Sequence, residues 1–274
     1  MRSSRSRLLS ALLVSAVPVM PALARDSAPT LPAVTVTAPA QRDGSAAAGY
    51  RHESASVGGF NALTNLETPF SVKSFSSDLL RNTSVNTIGD LEKLDAGVTA
   101  AFGSVGYYPS VNIRGFELNN WSNYRQNGLM IVNQAHTGLE NKERIEILKG
   151  LSGLQAGFAA PGGILNYVTK RPAGTALTHL HLGVNQYGNT LAHVDASRRS
   201  ASGRFGARVN LAAEELRSYV EEADGERQFG SIALDADFTS RTRLRFDLDH
   251  QRRDQLQQPS LPLTVAGAVP DNVD

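Results

Sequence analysis

Residues 143–172, ERIEILKGLSGLQAGFAAPGGILNYVTKRP, decide how the rest of the chain is read. The stretch opens on Ile145-Glu146-Ile147-Leu148, a short alternating segment with apolar residues on one face and charge on the other. Gly150, Gly153, Gly157, Gly162 and Gly163, with Pro161 and several Ser and Ala, separate it from a second strand-like segment, Ile164 to Thr169. Lys170-Arg171-Pro172 then stops that segment. A backbone this rich in glycine bends repeatedly and approaches its neighbours closely. Two short strands joined by such a loop suit a compact insert that fits inside something else.

What surrounds the insert follows from the pattern after Pro172. Leu180, Leu182 and Val184 alternate with His179, His181 and Gly183; Ala192, Val194 and Ala196 alternate with His193, Asp195 and Ser197. The same period runs through Phe205–Leu211, Ile232–Phe238 and Leu244–Leu248, giving about five strands with one apolar and one polar face. Connections near 188–189, 200–203 and 239–242 are brief, whereas 214–226 is longer and charged. A soluble sandwich also alternates. Arg243 and Arg245 paired with Asp247 and Asp249 on the polar face favour an apolar-out, polar-in membrane barrel.

Upstream, residues 60–172 read as a small α+β domain. Thr68–Phe75 is strand-like, Ser77–Leu80 a capped helical turn and Thr87–Leu94 a short helix. Val111–Phe116 and Gly128–Val132 alternate as strands. Tyr107, Tyr108, Trp121, Tyr124 and Arg125 fall in loop-like surroundings between them. Such residues either cap a core or form a ligand surface. Residues 25–59 are rich in Ala, Ser, Pro and Thr and are expected to be flexible. They contain one β-prone segment, Leu31–Ala38, which is either linker or a strand offered to a partner's sheet.

The N-terminus supplies the compartment. Arg2, Arg5 and Arg7 precede an apolar run from Leu8 to Val19 and the small-residue site Ala22-Leu23-Ala24. Residues 1–24 therefore read as a cleavable secretory signal, too short to span a bilayer core of about 30 Å. Any membrane role falls to the strands. The net charge of +1 excludes bulk nucleic-acid binding, and the lack of cysteine excludes disulfides and thiolate metal sites.

Catalytic patterns are missing. Gly150-Leu-Ser-Gly-Leu lacks nucleophile-elbow spacing, His52-Glu53 has no second His at metalloprotease spacing, and no G-K-[ST] ends the glycine run. His179, His181, His193 and Asp195 share polar faces, as lumen-facing residues would, and no metal or cofactor is expected.

The chain resembles the TonB-dependent outer-membrane receptors, particularly those for ferric siderophores. The resemblance rests on Ile113-Arg-Gly-Phe116, on Asn127-Gly128-Leu129, and above all on Glu143–Gly150 in tandem with Pro161–Pro172. Leu151, and Gln155-Ala156-Gly157, depart from the usual loop residues. The resemblance implies an α+β plug domain with a small mixed sheet over 60–172. The first antiparallel strands of a transmembrane β-barrel then follow from 175 to 274. It further implies a TonB box at 31–38, with Leu31, Val34, Thr35, Val36 and Thr37 contacting TonB and its inner-membrane energising complex. A ferric siderophore would meet Tyr107, Tyr108, Trp121, Tyr124 and Arg125; haem and cobalamin receptors share the architecture. Receptors of this kind close about 22 strands, so about five strands read as an incomplete barrel. The other expectation is a secreted plug-like module that binds TonB or ligand without transport.

Overall fold

The computed structural model describes residues 42–57, 63–102, 105–150 and 157–257. The TonB-box-like segment and the signal region lie outside them.

Glycine and charge spacing place the first strands as expected. β1 (Ser71–Ser76) runs into α1 (Ser77–Asn82), and Ser76 caps that helix by accepting a 3.1 Å hydrogen bond from the Leu79 N–H. A 3-10 turn follows at Ile88–Lys93, where the Asp90 carboxylate accepts from the N–H groups of Asn86 and Thr87. β2 (Val98–Ala100), β3 (Val111–Ile113) and β4 (Phe116–Glu117) form a small antiparallel sheet. Val111–Phe116 is therefore a hairpin and not one strand: Arg114 and Gly115 both take positive φ, 52° and 82°, and fold it back. Asn127-Gly128 does the same between β5 (Tyr124–Gln126) and β6 (Leu129–Met130).

β7 (Lys142–Lys149) and β8 (Gly163–Thr169) are the two arms of the stretch quoted at the outset. They pair antiparallel, with Ile147 opposite Leu165, and β5 joins β8 in parallel. The resulting mixed sheet has the order β1-β7-β8-β5-β6. Gly163, at φ 137°, is required there, because a Cβ would lie 2.1 Å from the Leu148 carbonyl oxygen.

One face of this sheet carries Phe75, Ile145, Ile147, Leu165 and Tyr167 into an apolar core closed by Leu80, Ile88 and Leu91. The other face holds Glu146, Leu148 and Ile164. Residues 42–57, expected from composition to be flexible, cover that face instead. Ala55 and Val57 pack on Leu148 and Ile164. The fully buried Glu146 carboxylate accepts from the Ser56 N–H and Oγ (2.9 Å each), Asn166 Nδ2 (2.9 Å) and Arg144 Nε (2.7 Å). A buried carboxylate is tolerated only with its lone pairs filled in this way.

The remaining strands form one antiparallel wall: β9 (Leu177–Val184), β10 (Thr190–Arg199), β11 (Phe205–Leu216), β12 (Gly225–Asp237) and β13 (Arg243–Gln255), in sequential order. Its faces are inverted relative to a soluble sheet. His193, Asp195, Ser197, Arg208, Asn210 and Asp235 are buried toward the plug, whereas Leu182, Leu211, Leu244 and Leu248 are exposed on the far face. Aromatic pairs sit near both ends, Phe205–Phe238 with ring centroids 6.4 Å apart and Tyr187–Tyr219 at 6.1 Å. At about 3.3 Å per residue and a tilt of about 40°, a strand of 12 residues such as β11 rises roughly 30 Å, enough for a lipid-facing band.

Candidate functional site: the plug against the wall

Two groups of contacts fix the plug to the wall. The first gathers at the basic stop after β8. Lys170 Nζ lies 2.9 Å from Asp195 Oδ2, and Arg208 reaches the same carboxylate through Nε (2.8 Å) and NH2 (2.7 Å). Arg171 holds Asp247 with NH1 at 2.6 Å from both oxygens and also pairs with Asp235, which Arg199 reaches at 2.9 Å. Arg199 further donates to the Pro172 carbonyl, and Ala173 N–H to Ser197 Oγ. Pro172 rests on Gly206, where a Cβ would come within 2.7 Å of the ring. Burial lowers the Lys170 pKa, and Asp195 offsets part of that.

The second group lies toward the long-loop end. The Arg227 guanidinium pairs with Glu140 of the plug and with Glu214 (2.7 Å). Burial would raise the Glu140 pKa, but the Arg227 hydrogen bond and charge hold it below the ordinary range. Gln251 Nε2 donates to the His136 carbonyl at 2.8 Å, and Gly138 lies against the Phe229 ring. Burial drives the pKa of the His136 ring down to about 4. The 105–107 turn in turn abuts the Leu256 backbone.

That turn carries the first of the expected ligand residues. Tyr107 and Tyr108 are half-buried, their rings 4.4 Å apart and each edge-on to Phe102 at 5.5 and 5.9 Å. Trp121 is 59% exposed. Asn120 connects the two regions, donating to Tyr108 Oη at 3.3 Å. Tyr124 and Arg125 lie elsewhere than expected. Both belong to β5 and are buried, Tyr124 in the core with its Oη at 3.2 Å from Ser110 Oγ. Arg125 turns its NH1 to the carbonyls of Ser122 (2.6 Å) and Tyr124 (3.0 Å). The structure thus groups Tyr107 and Tyr108 with Phe102, which sequence reasoning missed, and sets Tyr124 and Arg125 beneath the surface. Glu140 and His136 were missed as well. The charge on inward wall positions was the available signal, since it demands opposite charge in whatever fills the lumen.

Comparison with known proteins matches residues 64–164 to the TonB-dependent Receptor Plug Domain. The ferripyoverdine receptor of Pseudomonas aeruginosa is 26% identical over 202 residues, covering 70% of this chain and 24% of that protein. The ferrichrome receptor FcuA of Yersinia enterocolitica is 25% identical over 192 residues, 68% of this chain and 25% of the relative. Among solved structures, Pseudomonas aeruginosa FpvA bound to heterologous pyoverdines superposes with a TM-score of 0.67 at 22% identity, covering 77% of this chain and 29% of that one. BauA, the ferric preacinetobactin receptor of Acinetobacter baumannii, gives 0.62 at 26% identity, covering 69% and 29%. The chain spans about a quarter of the length of these proteins.

Proposed function

We propose that this chain, a relative of the TonB-dependent siderophore receptors located in the outer membrane, supplies the plug and first wall strands of a ferric siderophore uptake receptor. The observation that carries the proposal is the inverted wall, whose polar face is occupied by a plug held through buried ion pairs and not through an apolar seam. A filled lumen of this kind serves gated passage of a solute and needs no bond-breaking chemistry.

The ligand surface comprises the Tyr107–Tyr108 pair and the exposed Trp121, next in sequence to the Asn120 that donates to Tyr108, with the buried Tyr124 and Arg125 behind them in β5. A ferric catecholate or hydroxamate offers flat faces and anionic oxygens, which suit aromatic rings and phenol donors. The segment at 31–38 gives TonB an added strand through Leu31, Val34, Thr35, Val36 and Thr37. It lies just upstream of residues 42–57, which are clasped by Glu146.

The test uses iron-starved cells making the protein and a radiolabelled ferric siderophore. Deleting Val34–Thr37 is expected to abolish uptake and crosslinking to TonB. Ferric siderophore should still quench Trp121, the single tryptophan. Unchanged uptake in the deletion overturns the TonB assignment. Quenching by haem but not by any ferric siderophore overturns the ligand class.

A further inference from the structure

We propose that the short-turn end of the wall carries a headgroup site for an anionic glycerophospholipid of the periplasmic leaflet. The proposal rests on the outer-membrane placement and on charges that the plug contacts leave unused.

The two ends of the wall carry opposite charge. Around the short turns, residues 198–204 and 237–243 contain Arg198, Arg199, Arg204, Arg241 and Arg243 against the single acid Asp237. At the other end, residues 215–226 contain Glu215, Glu221, Glu222, Asp224 and Glu226 against the single base Arg217. Both connections at the basic end are brief, whereas the acidic end carries the 217–224 loop beside the brief 185–189 turn; barrels direct their shorter connections to the periplasm, so the basic end meets the inner leaflet.

Two of the five arginines pair with acids of the protein. Arg199 holds Asp235 and the Pro172 carbonyl, and Arg243 pairs with Asp237. The other three pair with no acid among the described residues. Arg198 is exposed on the outward face of β10, opposite Ala207, and Arg241 is exposed in the turn after Phe238. Neither side chain has a partner among the described residues. Arg204 donates to the carbonyls of Asp237 (3.1 Å) and Phe238, which fixes it at the edge of the sheet while leaving it exposed. A guanidinium has five N–H donors, so these bonds leave others free.

Phe205 and Phe238 mark the level of this corner: Arg198 lies one outward position inside Phe205, and Arg204 and Arg241 lie in the turn segments. These rings sit edge-on at 6.4 Å, each about half exposed, at the end of the apolar face. Aromatic residues at that position mark the boundary between acyl chains and headgroups. Arginines beside them stand at phosphate depth, and the planar fork suits a phosphodiester's two anionic oxygens. A net negative headgroup is selected over a zwitterionic one, because no acid on the outward face of this corner would receive an ammonium group. Lipid A is disfavoured, since its phosphates lie in the opposite leaflet beside the acidic end.

The experiment takes the protein extracted from outer membranes in mild detergent. Phosphatidylglycerol, phosphatidylethanolamine or lipid A is added, and bound lipid is read by native mass spectrometry. Phosphatidylglycerol should be retained in preference to the other two. The double variant R198Q/R241Q should bind it about tenfold more weakly. Neither side chain bonds to the protein, and an unchanged circular dichroism spectrum checks that the fold persists. The variant E221Q/E222Q at the far end should bind as the parent does. Equal retention of phosphatidylglycerol and phosphatidylethanolamine, a preference for lipid A, or full retention in R198Q/R241Q would each overturn the site. Absence of the protein from the outer-membrane fraction would remove the premise and the site together, and is read separately by fractionation.

Discussion

Plug and wall bury opposite kinds of side chain within one chain. In the plug, Phe75, Ile145 and Tyr167 are sealed from solvent. In the wall, Asp195, Arg208 and Asn210 are sealed, while Leu182, Phe205 and Leu244 lie open. The difference lies in the surroundings each face must meet: water and a polar wall around the plug, acyl chains outside the wall. The plug is stabilised by removing apolar area from water. The wall gains little from its leucines once lipid or detergent covers them, and its inner face depends on filled hydrogen bonds.

Substitutions can break that contrast. The largest effect is expected for Phe75→Ala, with a loss of about 4 kcal/mol from cavity and transfer terms. Leu182→Ala on the outer face should cost less than about 1 kcal/mol in detergent. Equal losses in guanidinium unfolding would refute the inversion. Asp195→Ala comes next, at about 3 kcal/mol, because it strands Lys170 and Arg208 without their shared counter-charge. Its thermal midpoint should fall well below that of Asp195→Asn, which keeps an acceptor oxygen.

A further effect concerns pH. His136 has its pKa depressed to about 4 by burial, so it is neutral in the fold and takes up a proton more readily when unfolded. The unfolded state then binds more protons between pH 6.5 and 4, and stability falls as pH drops through that window. Above pH 6.5 the contribution is constant. His136→Gln should flatten this part of the stability profile; an identical slope in variant and parent would show that His136 does not titrate there.

The sequence made the wall legible because a two-residue period survives inversion: the same alternation is read whichever face is apolar. The β7–β8 pair was legible from Ile145–Leu148, the glycines and Ile164–Thr169. Tyr124 and Arg125 were not legible as a buried strand. They sit in Asn119–Gly128, a polar run, and become a strand only by parallel pairing with β8 some 40 residues on. Ile113–Phe116 misled for a local reason. Arg114 takes a positive φ that arginine seldom adopts, so only Gly115 hinted at the hairpin. Residues 42–57 looked featureless because Ala55 and Ser56 gain their roles from Leu148 and Glu146, about ninety positions away.

The strand order of the plug sheet has a mechanical consequence. β1 lies at the edge, hydrogen-bonded only to β7, whereas β8 lies in the middle and runs directly into the Lys170–Pro172 anchor. Tension applied from the N-terminal side therefore meets its attachments in sequence: first the Arg42 pairs with Asp78 and Glu143 and the Asn82 bond to the Tyr50 hydroxyl, then the two Ser56 bonds to Glu146, then an edge strand, and last a central strand clamped on both sides. Such a sheet yields in steps from one end while its far end stays moored to the wall.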